Sequence, residues 1–527
     1  MPKNSCSFRF VLGAVLLCIT SWSIGASAAT EAEKTAAIQN GLANLYSTQQ
    51  ADGHWEYLLW GTNFPQAATG AAVFAFMSQK GYWGTEAATY QTAVDKGIQW
   101  LLAQATTTTV GVRTDGFNPC GTGTCTAVYW DGSGEATYTT GLIAPALATY
   151  AQGRASEVGT TIGPLAGMTY QQIAQGITNL FAAGQTTAAA GILRGGWRYW
   201  PIGQEDSDMS TTQWAIISLI FNETLGATTP QFVKDELKYF LLATQDPTSG
   251  GGCYQPYYTD GSWCTHSDTG GLLLGLKFVG YDKTNAQVQK ALVFLNSHWT
   301  ETANNLWYGN FGHPYAMWSV YKGLDVIIGL TETTSITNLL TSCGAPGSPP
   351  NGPCNWWEDY NEWLVRNQNP DGSWTGYTET DGGYWFGTLA TAFDVNILGA
   401  TQIPVQNKCP HGQGYWKNTS TWPVASLTLG DKTYDQSALL TILRTSARGD
   451  ASIILAYQLI AAQLNIAHGS SPAPVSAVIS DANTLMTGLG YLPQVVAPST
   501  PTGKAMVHDA ATLDSYNNRL LTPECEP

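Results

Sequence analysis

Glu205, Asp206 and Asp208 stand close together just ahead of an apolar run that begins at Met209. Acids at the head of a helix have two uses. One is capping, since Asp208 or Ser210 ahead of Thr211 can accept from backbone N–H groups that the first turn leaves unpaired. The other is acid catalysis: a carboxyl held protonated by desolvation and a neighbouring like charge can donate that proton, and aromatic faces stabilise the cation formed. Asp208 is therefore the first catalytic candidate, with Asp206 beside it. His313, before Pro314 at the head of a later helix, is placed to orient Asp208, its alternative being a solvated loop histidine. Glu135, His266, Asp268 and Asp381 also stand at helix starts, where a pair of carboxylates would serve glycoside chemistry. The aromatic residues expected to line the ligand site are Trp197, Tyr199, Trp200, Trp214, Trp307, Tyr315 and Trp385.

The elements that must position these groups repeat. Trp214, Ile217, Ser218 and Phe221 recur at i, i+3, i+4 and i+7, one face of a helix, and a Gly-Gly-Trp turn at Gly195 precedes them. The same order of helix, Gly/Trp loop and helix occurs in six copies between residue 30 and about residue 400. The first helices of the copies fall near 38–48, 96–104, 171–183, 232–245, 288–296 and 363–364, and the second near 69–77, 137–150, 211–222, 269–278, 315–330 and 385–398. A helix pair of this kind cannot bury its apolar face alone, so the copies must stack, either as an open superhelix or as a closed ring.

Residues 41–55 and 363–374 carry an aromatic-aliphatic pair, a Gln, then Gly-x-Trp. This pattern resembles the Gln-Trp repeats of terpene cyclases and protein prenyltransferases. The resemblance implies an all-α fold, an α/α toroid of six helix hairpins with six inner and six outer helices around a central cavity. It also implies an apolar or ring-shaped ligand in that aromatic-lined cavity. Asp206-Ser207-Asp208-Met209 is similar to the acid motif of class II terpene cyclases, with Asp208 at the proton donor's position and Met209 where a final acid is usual. Two alternatives stand beside cyclase-like chemistry: a polysaccharide lyase or hydrolase on the same scaffold, and a non-catalytic extracellular binding protein. Residues 404–527 change texture, and Gly414-Tyr415-Trp416-Lys417-Asn418 with Asp514-Ser515-Tyr516-Asn517-Asn518 resembles a small helical module at the C-terminus of exported bacterial proteins.

Composition narrows the partners. The chain has 527 residues, a net charge of −15 and 12% charged residues, so it can bury a large core but offers no basic surface for nucleic acid. Residues 1–29 read as an export signal, with Lys3 and Arg9 before a short apolar stretch and small residues at its end. No later stretch is apolar for long enough to span a membrane. The expected partner is a small molecule or a carbohydrate, with no cofactor and no metal, in a secreted or periplasmic protein. The eight cysteines beyond the signal suit an oxidising compartment. Proximity pairs Cys120 with Cys125, Cys253 with Cys264 and Cys343 with Cys354, leaving Cys409 and Cys525. A zinc site at Asp260, Cys264 and His266 is the competing reading, without a supporting motif.

Overall fold

The computed structural model describes the chain except residues 1–27, 60, 204, 259–260, 304–307, 342–352, 377–386, 406–408, 420–421, 425, 469, 471–473 and 523–527. The expected signal, Asp260, Trp307, Asp381, Trp385, Cys343 and Cys525 therefore lie outside the described residues. The first copy is α1 (Glu31–Ser47) and α2 (Pro65–Ser78), and the second is α3 (Ala87–Ala103) and α4 (Ala136–Tyr150). The third is α5 (Tyr170–Gly184) and α6 (Met209–Glu223), followed by α7 (Gln231–Ala243) and α8 (His266–Phe278). The last two are α9 (Ala286–His298) with α10 (Pro314–Ile328), and α11 (Trp356–Arg366) with α12 (Gly387–Leu398). Each even-numbered helix packs on the next, and α12 packs back on α2, so the ring is closed and the fold is an α/α toroid. The inner helices are buried almost all round: every residue of α6 is buried. This is why they read as nearly continuous apolar runs, whereas α5 and α7 keep one solvent face. Small residues set the closest approach. A Cβ at Gly270 of α8 would sit 2.3 Å from the Ser319 carbonyl carbon of α10, so only glycine lets these two backbones meet.

The recurring Gln and Trp are the seams of the ring. Trp55, Trp130, Trp197 and Trp374 each donate their indole N–H to a carbonyl of the preceding outer helix or its terminus, at Leu45, Leu101, Phe181 and Leu364, over 2.6–2.8 Å. The glutamine amide donates twice. Gln49 donates to Gly53 O in its own loop and to Ala93 O on α3, both at 2.8 Å. Gln185 joins Gly195 O to Val233 O on α7, and Gln245 joins Gly250 O to Gln287 O on α9. Gln368 joins Gly372 O, at 3.0 Å, to Ala37 O on α1, at 2.8 Å, tying the last copy to the first. The second copy instead inserts a hairpin, Thr106–Val110 against Cys125–Tyr129, and Asn179 of α5 donates to Thr126 O. At the fifth, Tyr360 of α11 donates to Asn310 in the loop.

The middle of the ring is packed. Trp318 stacks on Phe393 at 6.0 Å, Trp214 stacks on the same Phe393, and Phe74 meets Trp318 edge-on. The gap left among them is about 10 Å³, room for at most one water. A ligand-sized space is not found among these described rings, and two residues expected to line it, Trp307 and Trp385, lie outside the described residues. Lys322 of α10 is wholly buried in this packing, its Nζ 4.3 Å from the Trp214 ring centre and 3.0 Å from Gln213 Oε1. Burial lowers its pKa to about 7.

After residue 405 the chain builds a second core. It comprises α13 (Gln413–Asn418), a hairpin of Ser426–Leu429 and Lys432–Asp435, α14 (Gln436–Arg444), α15 (Ala451–His468), α16 (Ser476–Met486) and α17 (Pro501–Asn517). The two motifs singled out in this region meet inside it. Trp416 Nε1 donates to Asn465 Oδ1, and Asn465 Nδ2 donates to Asn517 Oδ1, at 2.8 and 2.9 Å.

Gln368→Met should cost about 1–3 kcal/mol, the penalty for stranding two part-buried carbonyls, and denaturant unfolding monitored by Trp fluorescence measures it. Lys322→Met should raise Tm, with a sign set by linkage. Below pH 7 Lys322 is charged in both states and the buried charge is at full cost. Between its folded value of about 7 and the unfolded 10.5 only the unfolded chain holds the proton, so the wild type gains stability as pH rises. The Tm advantage of Lys322→Met should therefore be largest at pH 6 and shrink by roughly half or more at pH 9, as differential scanning calorimetry will show.

Candidate functional site

The N-terminal ends of α4, α6, α8 and α10 gather the predicted acids and His313 at one mouth of the ring. The Gly-Gly-Trp turn brings Trp197 under α6, where its backbone N–H reaches Thr212 Oγ1 and its carbonyl accepts from Thr211 Oγ1. The next residue, Arg198, then lies over the start of α6. Asp208 is fully buried and is the N-cap of α6: its Oδ1 accepts from Thr211 N at 2.8 Å and from Ser210 Oγ at 2.5 Å. Its Oδ2 accepts from Arg198 Nη1 at 2.5 Å. Burial raises the Asp208 pKa, and Arg198 with the two other donors opposes that rise. Three donors thus converge on a carboxyl whose pKa burial still holds above the ordinary value.

Arg198 is the residue around which the mouth is assembled, and the sequence reading passed over it. Besides Asp208 it reaches Asp206 Oδ2 at 3.2 Å through Nε and donates to the Tyr254 hydroxyl at 2.7 Å. Its guanidinium lies 4.6 Å from the Tyr199 ring centre, and the Tyr199 and Tyr254 hydroxyls are 3.1 Å apart. Tyr199 stacks on Tyr138, whose hydroxyl donates to Ser210 Oγ at 2.8 Å. A polar chain thus runs from Tyr138 through Ser210 to Asp208 and Arg198. The only signal in the sequence was the position of Arg198, directly after the Gly-Gly-Trp turn and ten residues before Asp208; nothing local pointed to Tyr254.

Tyr254 comes from a loop closed by the Cys253–Cys264 disulfide. The rings of Tyr254, Tyr258 and Trp263 lie 5.9–6.4 Å apart in a cluster. Tyr257 and Trp263 are 61% and 41% exposed. Trp263 has φ +60°, a left-handed conformation that a bulky residue seldom adopts, and its N–H donates to the Tyr308 hydroxyl. Gln255 pins the loop to the acid run, donating to Asp206 Oδ1 and to Ser207 O, both at 2.9 Å. Glu135, half-buried just before α4, has its pKa raised by burial and then by the charge of Asp208. Asp268 on α8 is pushed up to about 8 by burial, its Oδ2 accepting from Thr265 Oγ1.

The other expectations fall out as follows. His313 is fully buried and caps α10, its Nδ1 accepting from Ala316 N at 3.4 Å, so it is not a solvated loop residue, and Arg198 supplies the cation on Asp208. Trp197, Trp214 and Tyr315 are core residues and not ligand contacts at the axis, Tyr315 because its hydroxyl is tied to Ser210 O and Gln213 Nε2. Tyr199 and Trp200 remain partly exposed at the mouth. The Cys120–Cys125 and Cys253–Cys264 bonds are formed, and Cys354 and Cys409 are each disulfide-bonded. Cys264 is thereby removed from the zinc reading, and no group of potential metal ligands occurs among the described residues. No described helix is long and apolar enough to cross a membrane.

No family model matches the sequence, and no curated protein matches it. Solved structures with a similar helix arrangement include the type II terpene cyclase MstE from Scytonema, at 14% identity and TM-score 0.38, covering 70% of this chain and 98% of that one. The glucoamylase of Hormoconis resinae aligns at 12% identity and TM-score 0.35, covering 71% of this chain and 72% of that one. A glycoside hydrolase family 15 glucoamylase from Hypocrea jecorina aligns at 13% identity and TM-score 0.36, covering 70% and 71%. At these identities no residue role is carried over from any of them.

Asp208→Asn keeps a competent N-cap but removes the charge facing Arg198, so it should destabilise the chain by about 2 kcal/mol or more. Arg198→Met should cost more in the same unfolding assay, because it strands the fully buried Asp208 carboxylate, whereas Asp208→Asn leaves Arg198 partly open to water and beside Asp206.

Proposed function

We propose that the chain is an exported, saccharide-binding α/α toroid, and that its ligand sits across the N-terminal mouth of the ring. The observation that carries this reading is the disulfide-closed loop. It displays Tyr257 and Trp263 to solvent while Arg198 and Gln255 hold it against Asp206. Exposed aromatic faces beside fixed charged and amide groups suit a ring that is apolar on its faces and hydroxylated at its edge. Asp206, with a side chain 43% exposed, and Arg198, at 22%, would receive the hydroxyls. Two observations weigh for this reading over cyclase chemistry: the narrow gap among the described axial rings, and the three hydrogen bonds that Asp208 accepts. Export is supported by the two described disulfides and the expected signal. Residues 404–527, with their own core, would be an accessory module.

One observation favours hydrolysis over binding alone. Glu135 is a half-buried carboxyl with a raised pKa close enough to feel Asp208, the state a general acid requires, with Asp206 as the second carboxyl of the mouth.

Affinity electrophoresis against soluble xylan, mixed-linkage β-glucan, galactomannan and starch tests both readings. Retardation by at least one polysaccharide is expected, weakened roughly tenfold by Trp263→Ala or Tyr257→Ala. Glu135→Gln should leave retardation intact and abolish any release of reducing ends. Absence of retardation on all four, or retardation indifferent to both aromatic substitutions, would overturn the saccharide reading.

A further inference from the structure

The opposite mouth of the ring holds a cavity of about 690 Å³ at the C-terminal ends of α2, α4 and α6 and just past α12. Its volume suits a small organic ligand. Met77, Ala148, Phe221 and Pro404 give it an apolar floor. The charges on its wall are Lys80 and Arg154, and no carboxylate is among its described lining residues, in a chain whose net charge is −15.

The hydrogen-bond roles on this wall are largely assigned. Thr149 Oγ1 donates to Pro145 O, Thr224 Oγ1 to Phe221 O, and Thr401 Oγ1 to Asn396 Oδ1, so these hydroxyls spend their protons on the protein. They also cover carbonyls of the last helical turns, which would otherwise repel an anion. Donor capacity remains on the two cations and on the Ser78 hydroxyl, which is buried without a hydrogen-bond partner among the described residues. Lys80 Nζ has one hydrogen bond, to Gln91 Oε1 at 3.4 Å. Arg154 donates Nη2 to Tyr150 O at 2.6 Å, which is a helix C-cap role, while its guanidinium lies 4.4 Å from the Tyr150 ring centre with only the exposed Glu157 at 3.9 Å as counter-charge. Capping accounts for one arm of Arg154; it accounts for neither Lys80 nor the exclusion of acids from the wall. Asp95 stands behind the wall, accepting from the Tyr150 hydroxyl and from Gln91 Nε2.

We propose that this cavity binds a small organic anion, a carboxylate or sulfonate carried on an apolar ring or chain, with the acid on Lys80 and Arg154 and the body on Met77 and Phe221. The site is separate from the saccharide mouth and does not rest on that reading.

Fluorescence titration of the full chain with 1-anilinonaphthalene-8-sulfonate, against the uncharged N-phenyl-1-naphthylamine, tests it. The sulfonate should saturate at one site and bind at least about tenfold tighter than the neutral probe. Lys80→Gln combined with Arg154→Gln should remove that advantage while leaving the neutral probe's affinity in place. If the double variant loses its Tm, the exposed Lys80→Gln alone should cut the advantage roughly threefold. Thr149→Trp, which fills the cavity, should weaken both probes, and Trp263→Ala at the other mouth should change neither. Equal affinity for the two probes, a sulfonate advantage that survives loss of the cations, or binding indifferent to Thr149→Trp would overturn the proposal.

Discussion

A glutamine amide that donates to two carbonyls at once is the interaction on which the ring depends. Gln49, Gln185, Gln245 and Gln368 each tie the glycine of their own loop to the outer helix of the next copy. Each amide bridges the carbonyl of its own loop glycine to a carbonyl on the next copy's outer helix. One residue thereby fixes a local turn and an inter-copy angle together. With the Asn179 and Tyr360 contacts at the second and fifth copies, these bonds link the copies in series, α12 packs on α2, and the bond from Gln368 to Ala37 falls at the point where the chain has gone full circle. The indole N–H of the Gly-x-Trp element does the complementary job within each copy, locking loop to outer helix.

Closing the ring puts all inner-helix N-termini at one mouth and all C-termini at the other. The first collects orphan N–H groups, which Asp208, Thr265 and His313 answer by capping. The second collects carbonyls, answered by Arg154 and by threonine hydroxyls. The chemical difference between the two mouths follows from helix polarity before any ligand is considered. Arg198 modifies the first mouth by pairing with Asp208 and Asp206, which converts an acidic rim into a mixed one.

The seams were legible because they are local. Gln, Gly and Trp recur at short spacing within each copy, so the repeat is readable from a single copy, while closure of the six copies came from the resemblance and not from spacing. Two disulfides were legible for the same reason, Cys253 with Cys264 and Cys120 with Cys125 being close along the chain. The state of the axis was not. Trp214, Trp318 and Phe393 have the same composition whether they line a hollow or interlock, and only the inter-helix distance distinguishes the two. The role of Arg198 was hidden because its partner Tyr254 lies 56 residues away. Pro314 marked the helix start in the sequence, proline being common at the first helical position, but the choice of the imidazole as cap is visible only in the structure.

Filling the axis has a structural reason that also moves function outward. Inner helices brought as close as Gly270 allows leave a space about one side chain wide, and stacked aromatic rings fill it with the least unsatisfied polarity. Lys322 is the exception, and it survives there because the faces of Trp214 and Trp318 and the oxygen of Gln213 offer partial compensation while burial keeps its pKa near neutrality. Among the described residues the two mouths differ in chemistry, one aromatic with both charges present, the other apolar-floored and cationic.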